Sequence, residues 1–154
     1  MERELHAAQL FLDGYNCAQA ITVAFSDVTG LDPNFSARMA SSFGGGIGRL
    51  REVCGAVSGM VMVLGLLYGY DASTDEAGKK AHYQRIQQLA GQFREEVGSI
   101  VCREILKNPP SDPNPTPRTA EFYKQRPCTR MVMIAARILE AYIRENPPQS
   151  KENL

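Results

Sequence analysis

The sequence has no surplus of charge of either sign, since 17 Lys and Arg stand against 17 Asp and Glu in 154 residues. A chain without a basic field draws neither nucleic acid nor an anionic membrane surface, and its Arg-rich patches are short and interleaved with acids. Its first residues, Met1-Glu2-Arg3-Glu4-Leu5-His6, are polar and acidic where a secretion signal needs a basic end and an apolar run. The expectation is therefore a cytoplasmic protein. Its cysteines, Cys17, Cys54, Cys102 and Cys128, include no C-x-x-C pair, and their intervals fit neither a zinc ribbon nor a ferredoxin. There is no G-x-x-x-x-G-K-S/T phosphate loop, no internal repeat and no segment of period-two alternation. These absences make phosphate binding at the glycine loop a minor reading and leave no strand pattern or repeat to build on.

A hydrophobic content of 44% with 22% charged residues is ordinary for a globular chain, and the length suits one domain over 1–154 with a real core. Its most distinctive stretch starts with Gly44, Gly45, Gly46 and Gly48 and runs into Cys54, where an uncharged segment from Val53 to Tyr70 begins. Glycines there permit positive φ or close approach of another group. A thiol at the start of a helix meets main-chain N–H groups and the positive end of the helix dipole, which favours the thiolate. Cys54 is accordingly the thiol expected to be most activated. Gly55/Gly59 and Gly65/Gly69 form two G-x-x-x-G pairs, and the segment just reaches the length of a membrane span. Ser58, the glycines and the end tyrosines favour instead the central, most buried helix of a soluble bundle, with glycines that let neighbouring helices approach closely.

The remaining segments read as helices. Residues 2–12 form the first, and Asn16 caps a second over 17–27 that opens on Cys17. Asp32 and Pro33 start a short third helix running to about Ser42. Ser73 or Thr74 caps a long helix over 75–97, with a stripe of Ala77, Ala81, Ile86, Leu89, Ala90, Phe93 and Val97; His82 on it reads as a surface or half-buried residue. Ser99 caps a short helix over 100–107 that carries Cys102. Residues 108–117, with five prolines, form an extended linker that adds nothing to the core. A last helix over 128–145 opens on Cys128 and buries Met131, Ile134, Ala135, Ile138, Leu139 and Tyr142, followed by a polar, frayed tail at 146–154. The predicted fold is all-α, a compact bundle of about five to seven helices around the glycine-rich apolar helix.

Each cysteine falls at or near a helix start, so helix ends aimed at one centre would stabilise several thiolates at once. Gly14-Tyr15-Asn16-Cys17-Ala18-Gln19, Phe43-Gly44-Gly45-Gly46-Ile47-Gly48, Cys54-Gly55-Ala56-Val57-Ser58-Gly59 and the single Cys102 and Cys128 resemble the C_GCAxxG_C_C family. Members are small, soluble proteins regarded as redox-active on the strength of their cysteines. The resemblance implies a four-cysteine site at Cys17, Cys54, Cys102 and Cys128. Such a set suits thiol–disulfide exchange, or a zinc ion or iron–sulfur cluster held by the same four residues. Two other readings compete. One is a non-catalytic helical module with structural cysteines, acting through a partner or a homo-oligomer. The other is small-ligand binding at the glycine loop, by the backbone of Gly44, Gly45, Gly46, Gly48 and Gly55 and by Arg49 or Arg51. A redox function further implies a redox partner protein.

Overall fold

The computed structural model describes residues 2–149. Every regular element among them is helical. α1 (Glu2–Leu12) buries Ala7, Ala8 and Phe11. α2 (Cys17–Ala24) starts with a reciprocal cap: the Asn16 side chain accepts from the Gln19 N–H at 2.8 Å, and the Gln19 side chain accepts from the Asn16 N–H at 3.0 Å. The predicted 17–27 helix is divided, because α2 ends before Phe25 and a separate turn, α3 (Ser26–Thr29), is closed by Gly30 at φ 79°. α4 (Pro33–Ala40) carries the expected cap, with Asp32 accepting from Asn34 and Phe35, and leads into a 3-10 turn at Ser41–Phe43.

The central helix, α5 (Gly55–Tyr68), is buried without a break from Gly55 to Met60. α6 (Glu76–Val97) is capped by Asp75, whose carboxylate accepts from the Gly78 N–H, rather than by Ser73 or Thr74. It buries Leu89 and Phe93 as predicted, whereas Ala77 and Ala81 are exposed because its first turns run beyond the core. His82 is buried and shares a hydrogen bond with Arg85. Two short helices, α7 (Cys102–Ile105) and α8 (Ala120–Gln125), precede α9 (Cys128–Glu145), whose apolar face includes Met131, Ile134, Ala135, Ile138 and Leu139. The one-turn and two-turn pieces take the tally of helices above the expected range without changing the fold class. The tail leaves helical form after Glu145, and its residues 150–154 lie outside the described residues.

α2 lies along α5, α1 and α4, while α9 is flanked by α1, α2, α5 and α6. Phe11, Ile21, Phe25, Met60, Leu64, Leu89, Phe93, Val132 and Leu139 fill the space between them and are fully buried. Each such side chain contributes about 1.5–3 kcal/mol by leaving water. The α2–α5 contact depends on missing side-chain atoms. A Cβ on Gly59 would stand 2.8 Å from the Ala18 carbonyl oxygen and from Ile21 Cβ, and one on Gly55 would stand 3.1 Å from Cys17 Cβ. The first G-x-x-x-G pair thus brings α2, with Cys17, against the start of α5. The second does not repeat this, since Gly65 is exposed with no heavy atom within 4 Å of its would-be Cβ. Among the described residues no helix is long and apolar enough to cross a membrane.

Candidate functional site

Four helix starts meet at one end of the bundle. Cys17, Cys102 and Cys128 are the first residues of α2, α7 and α9, and Cys54 is the residue capping α5. All four thiols are free and line one cavity of about 310 Å³. The residues that draw Cys54 and Cys102 together are Val53 and Val101, which form a single antiparallel bridge. Around it the Cys54 N–H donates to the Ile100 carbonyl at 2.7 Å and the Cys102 N–H donates to the Glu52 carbonyl at 2.6 Å.

The glycine loop is the floor of this cavity. Gly44, Gly45, Gly46, Gly48 and Gly55 all line it. Its reason for glycine is space and backbone form more than free N–H groups. A Cβ on Gly46 would meet Cys102 Cβ at 2.8 Å, and one on Gly44 would meet the Asn16 side chain at 2.6 Å. Gly45, Gly46 and Gly48 have positive φ, and so do Ile47, Arg49 and Arg51, at 70°, 67° and 63°. Three non-glycine residues in that region cost roughly 1–3 kcal/mol each. The N–H groups of Gly48, Arg49, Arg51 and Glu52 are already bonded to carbonyls of residues 42 and 44–46. The sequence expectation of a ligand cradle made by this backbone is narrowed accordingly; the arginines of the loop remain.

Residues 108–117 are irregular, as predicted, yet they are a wall of the site rather than a spacer. Pro113, Pro115 and Thr116 line the cavity. Arg49 holds the segment by donating to the Asp112 carbonyl at 2.8 Å and to Thr116 Oγ1 at 2.9 Å, and Arg51 donates to the Pro110 carbonyl at 2.9 Å. Arg118, Phe122 and Arg126 complete the lining, and sequence reading passed over all three. Arg126 had a visible signal, two positions before Cys128.

The four thiols differ in acidity because their surroundings differ. Cys128 is lowered to about 7, first because the Cys17 thiol donates a hydrogen bond to its sulfur, and further by the guanidinium groups of Arg126, Arg118 and Arg51, against the opposing effect of burial. The same hydrogen bond, together with burial, pushes Cys17 well above the ordinary thiol value. The two thiols thus diverge, Cys17 holding its proton more firmly and Cys128 less firmly than an ordinary thiol. Cys54 is 6% exposed, and burial pushes it up to about 12. The N–H groups of Ala56 and Val57 do face its sulfur and act in the expected direction, but desolvation outweighs them. The expectation that Cys54 is the most activated thiol is corrected: that place belongs to Cys128. Cys102 is raised by burial, opposed by Arg51, whose Nη1 lies 3.7 Å from its sulfur.

Among the described residues no group of three or more His, Cys, Asp or Glu side chains is arranged to hold a metal ion.

Neither a curated protein nor a solved structure shows a significant match to the chain. The sequence pattern of one family does, the one described as putative redox-active protein (C_GCAxxG_C_C), and it covers residues 15–142. That span contains all four cysteines, the glycine loop and every arginine of the cavity. The chain belongs to the C_GCAxxG_C_C family of redox-active proteins.

Proposed function

We propose that the protein is a thiol–disulfide redox protein in which Cys128 is the attacking thiolate and Cys17 the resolving thiol. The observation that carries this reading is that Cys17 and Cys128 stand at two helix starts on one cavity, where Cys17 and three guanidinium groups favour the Cys128 thiolate. A thiolate reacts with a disulfide at a rate set by its ionised fraction and its basicity, and a pKa near the ambient pH serves both. In the first step the Cys128 thiolate attacks one sulfur of a disulfide; a Cys128–sulfur bond forms and the departing half leaves as a thiolate. Cys17 gives its proton to that leaving thiolate and attacks the Cys128 sulfur. A Cys17–Cys128 disulfide forms and the second half is expelled, so two electrons pass from the protein to the substrate. A partner dithiol reverses the sequence and restores the reduced form, which suits a reducing, cytoplasmic setting. Cys54 and Cys102 are kept protonated by burial and take no part in these steps.

The test is to oxidise the reduced protein with one equivalent of a neutral small disulfide, digest under acid and map the linkages by mass spectrometry. The expected product is a single Cys17–Cys128 disulfide. A stoichiometric metal or a thiolate-to-iron absorption band in anaerobically purified protein would overturn the reading, as would four thiols that stay inert to the oxidant.

A further inference from the structure

Thiol exchange draws on the charge of this cavity only to favour the Cys128 thiolate. Its charged lining is Arg49, Arg51, Arg118 and Arg126, with no Asp or Glu among the lining residues. Among the described residues, Arg49 is the one of the four paired with a carboxylate, Asp112 at 3.9 Å. Arg118 donates to the main-chain carbonyls of Phe11 and Tyr15, each at 3.1 Å, and lies over the Phe11 and Phe122 rings. Arg126 stacks over the Phe122 ring at 5.2 Å. Of the four arginines, Arg51 is buried, Arg49 and Arg126 are half-buried and Arg118 is exposed, so the cost of an unbalanced charge falls mainly on Arg51.

Arg51 sharpens the point. It is 4% exposed, its Nε is bonded to the Pro110 carbonyl, and its Nη1 faces Cys102. Its Nη2 is buried with no hydrogen-bond partner among the described residues. A buried donor without an acceptor is rare in folded proteins and calls for an explanation such as a missing ligand. The backbone of Arg49 and Arg51 is held in the left-handed region, which non-glycine residues adopt only where the surroundings over-determine it. That strain places both guanidinium groups on the cavity wall.

We propose that the cavity is a binding site for a small disulfide bearing carboxylates, of amino-acid size, whose carboxylates are held by Arg51 and Arg126 and whose sulfur is presented to Cys128. This rests on the thiol-exchange reading for the reaction, but not for the binding. A cavity of about 310 Å³ is at the small end of ligand sites, which sets the size class. Cys128 opens the ligand's disulfide as described above: one carboxylate-bearing half leaves as a thiol with the proton of Cys17, and the other is released when the Cys17–Cys128 bond forms.

The experiment compares 3,3′-dithiodipropionate with its neutral dimethyl ester, each rate at Cys128 being divided by its rate with a free model thiol. Octanedioate, the same length with carbon in place of sulfur, reports binding without redox chemistry, by calorimetry and by protection of Cys128 from alkylation. The expected result is a diacid-to-diester ratio of at least about tenfold, with saturable binding of octanedioate, both reduced by added salt. Arg126→Gln should bring the ratio toward one; any change it makes in the thiolate fraction cancels between the two substrates. Arg51→Gln should do the same and abolish octanedioate binding, and Arg126→Gln keeps the test decisive if the buried Arg51 variant does not fold. Equal rates with no octanedioate binding overturn the anion site even if exchange proceeds. Octanedioate binding with no reaction of either disulfide upholds the anion site and overturns the exchange reading instead.

Discussion

Replacing Cys17 by alanine removes the donor that is the first cause of the low value at Cys128, and the consequence can be worked through. With that hydrogen bond gone, burial still opposes ionisation and the arginines still favour it, so Cys128 should move from about 7 back toward the ordinary thiol value near 9. At pH 7 the ionised fraction then falls from about one half to about one hundredth, a ~50-fold loss. Each remaining thiolate is more basic and, with a Brønsted coefficient of about 0.4–0.5, roughly 6–10-fold more nucleophilic. The net result is a ~5–8-fold slower attack on a neutral disulfide at pH 7. Above pH ~8 the order reverses, because the native thiol is by then almost fully ionised while the variant goes on gaining a thiolate of greater basicity. Cys17→Ser retains a hydroxyl donor at the same position and should leave Cys128 much closer to its native value. The assay is the loss of free Cys128 against pH, read by mass spectrometry after rapid alkylation of residual thiol in acid-quenched samples. A rate profile for Cys17→Ala that superimposes on the native one, with no crossover, would refute the influence of Cys17 on Cys128.

The close contact of α2 with α5 predicts that Gly59→Leu costs at least ~1–3 kcal/mol by overpacking, since even a Cβ there meets Ala18 and Ile21 at 2.8 Å. Gly65→Ala, exposed and unobstructed on the same helix, should instead gain ~0.5–1 kcal/mol; urea melts of the two variants that shift in the same direction would contradict this. Cys54 and Cys17 keep their protons in the fold at pH values where an unfolded thiol loses its own, so the native state binds more protons there. Their contribution is present below pH ~8.5 and is lost as pH rises toward about 12, so reduced protein should melt progressively lower in alkaline buffer, a trend that Cys54→Ala weakens. Gly46→Ala combines a φ of 74° with a Cβ only 2.8 Å from Cys102 Cβ, and should lower stability and alter the alkylation rate of Cys102; an unperturbed Cys102 would show that the loop yields at no cost.

The helical class, the central apolar helix and the placing of cysteines at helix starts were all legible, because they depend on caps and periodicity within a few residues. Asn16, Asp32 and the uncharged run after Val53 carry their meaning locally. The ranking of the thiols was not legible. For Cys54 the local argument holds in sign, yet its magnitude is overtaken by burial beneath a neighbouring helix, which only the packed chain supplies. Cys128 gains its acidity from Cys17, at the other end of the sequence, and from arginines on three different segments. The proline-rich stretch was misjudged for a related reason: composition identifies an extended chain but not that Arg49 and Arg51 reach across to hold it.

The proposed pair stands at the starts of α2 and α9, and Cys17 and Cys128 are roughly 110 residues apart, so closing a disulfide between them would remove about 4–5 kcal/mol of chain freedom from the unfolded state. By linkage the fold's stability and its redox state are then one variable seen from two sides. In the proposed exchange, each oxidation would stabilise the whole fold and each reduction would return it to its looser balance. Susceptibility to proteolysis, and with it the lifetime of the molecule in a cell, would follow the thiol balance around it.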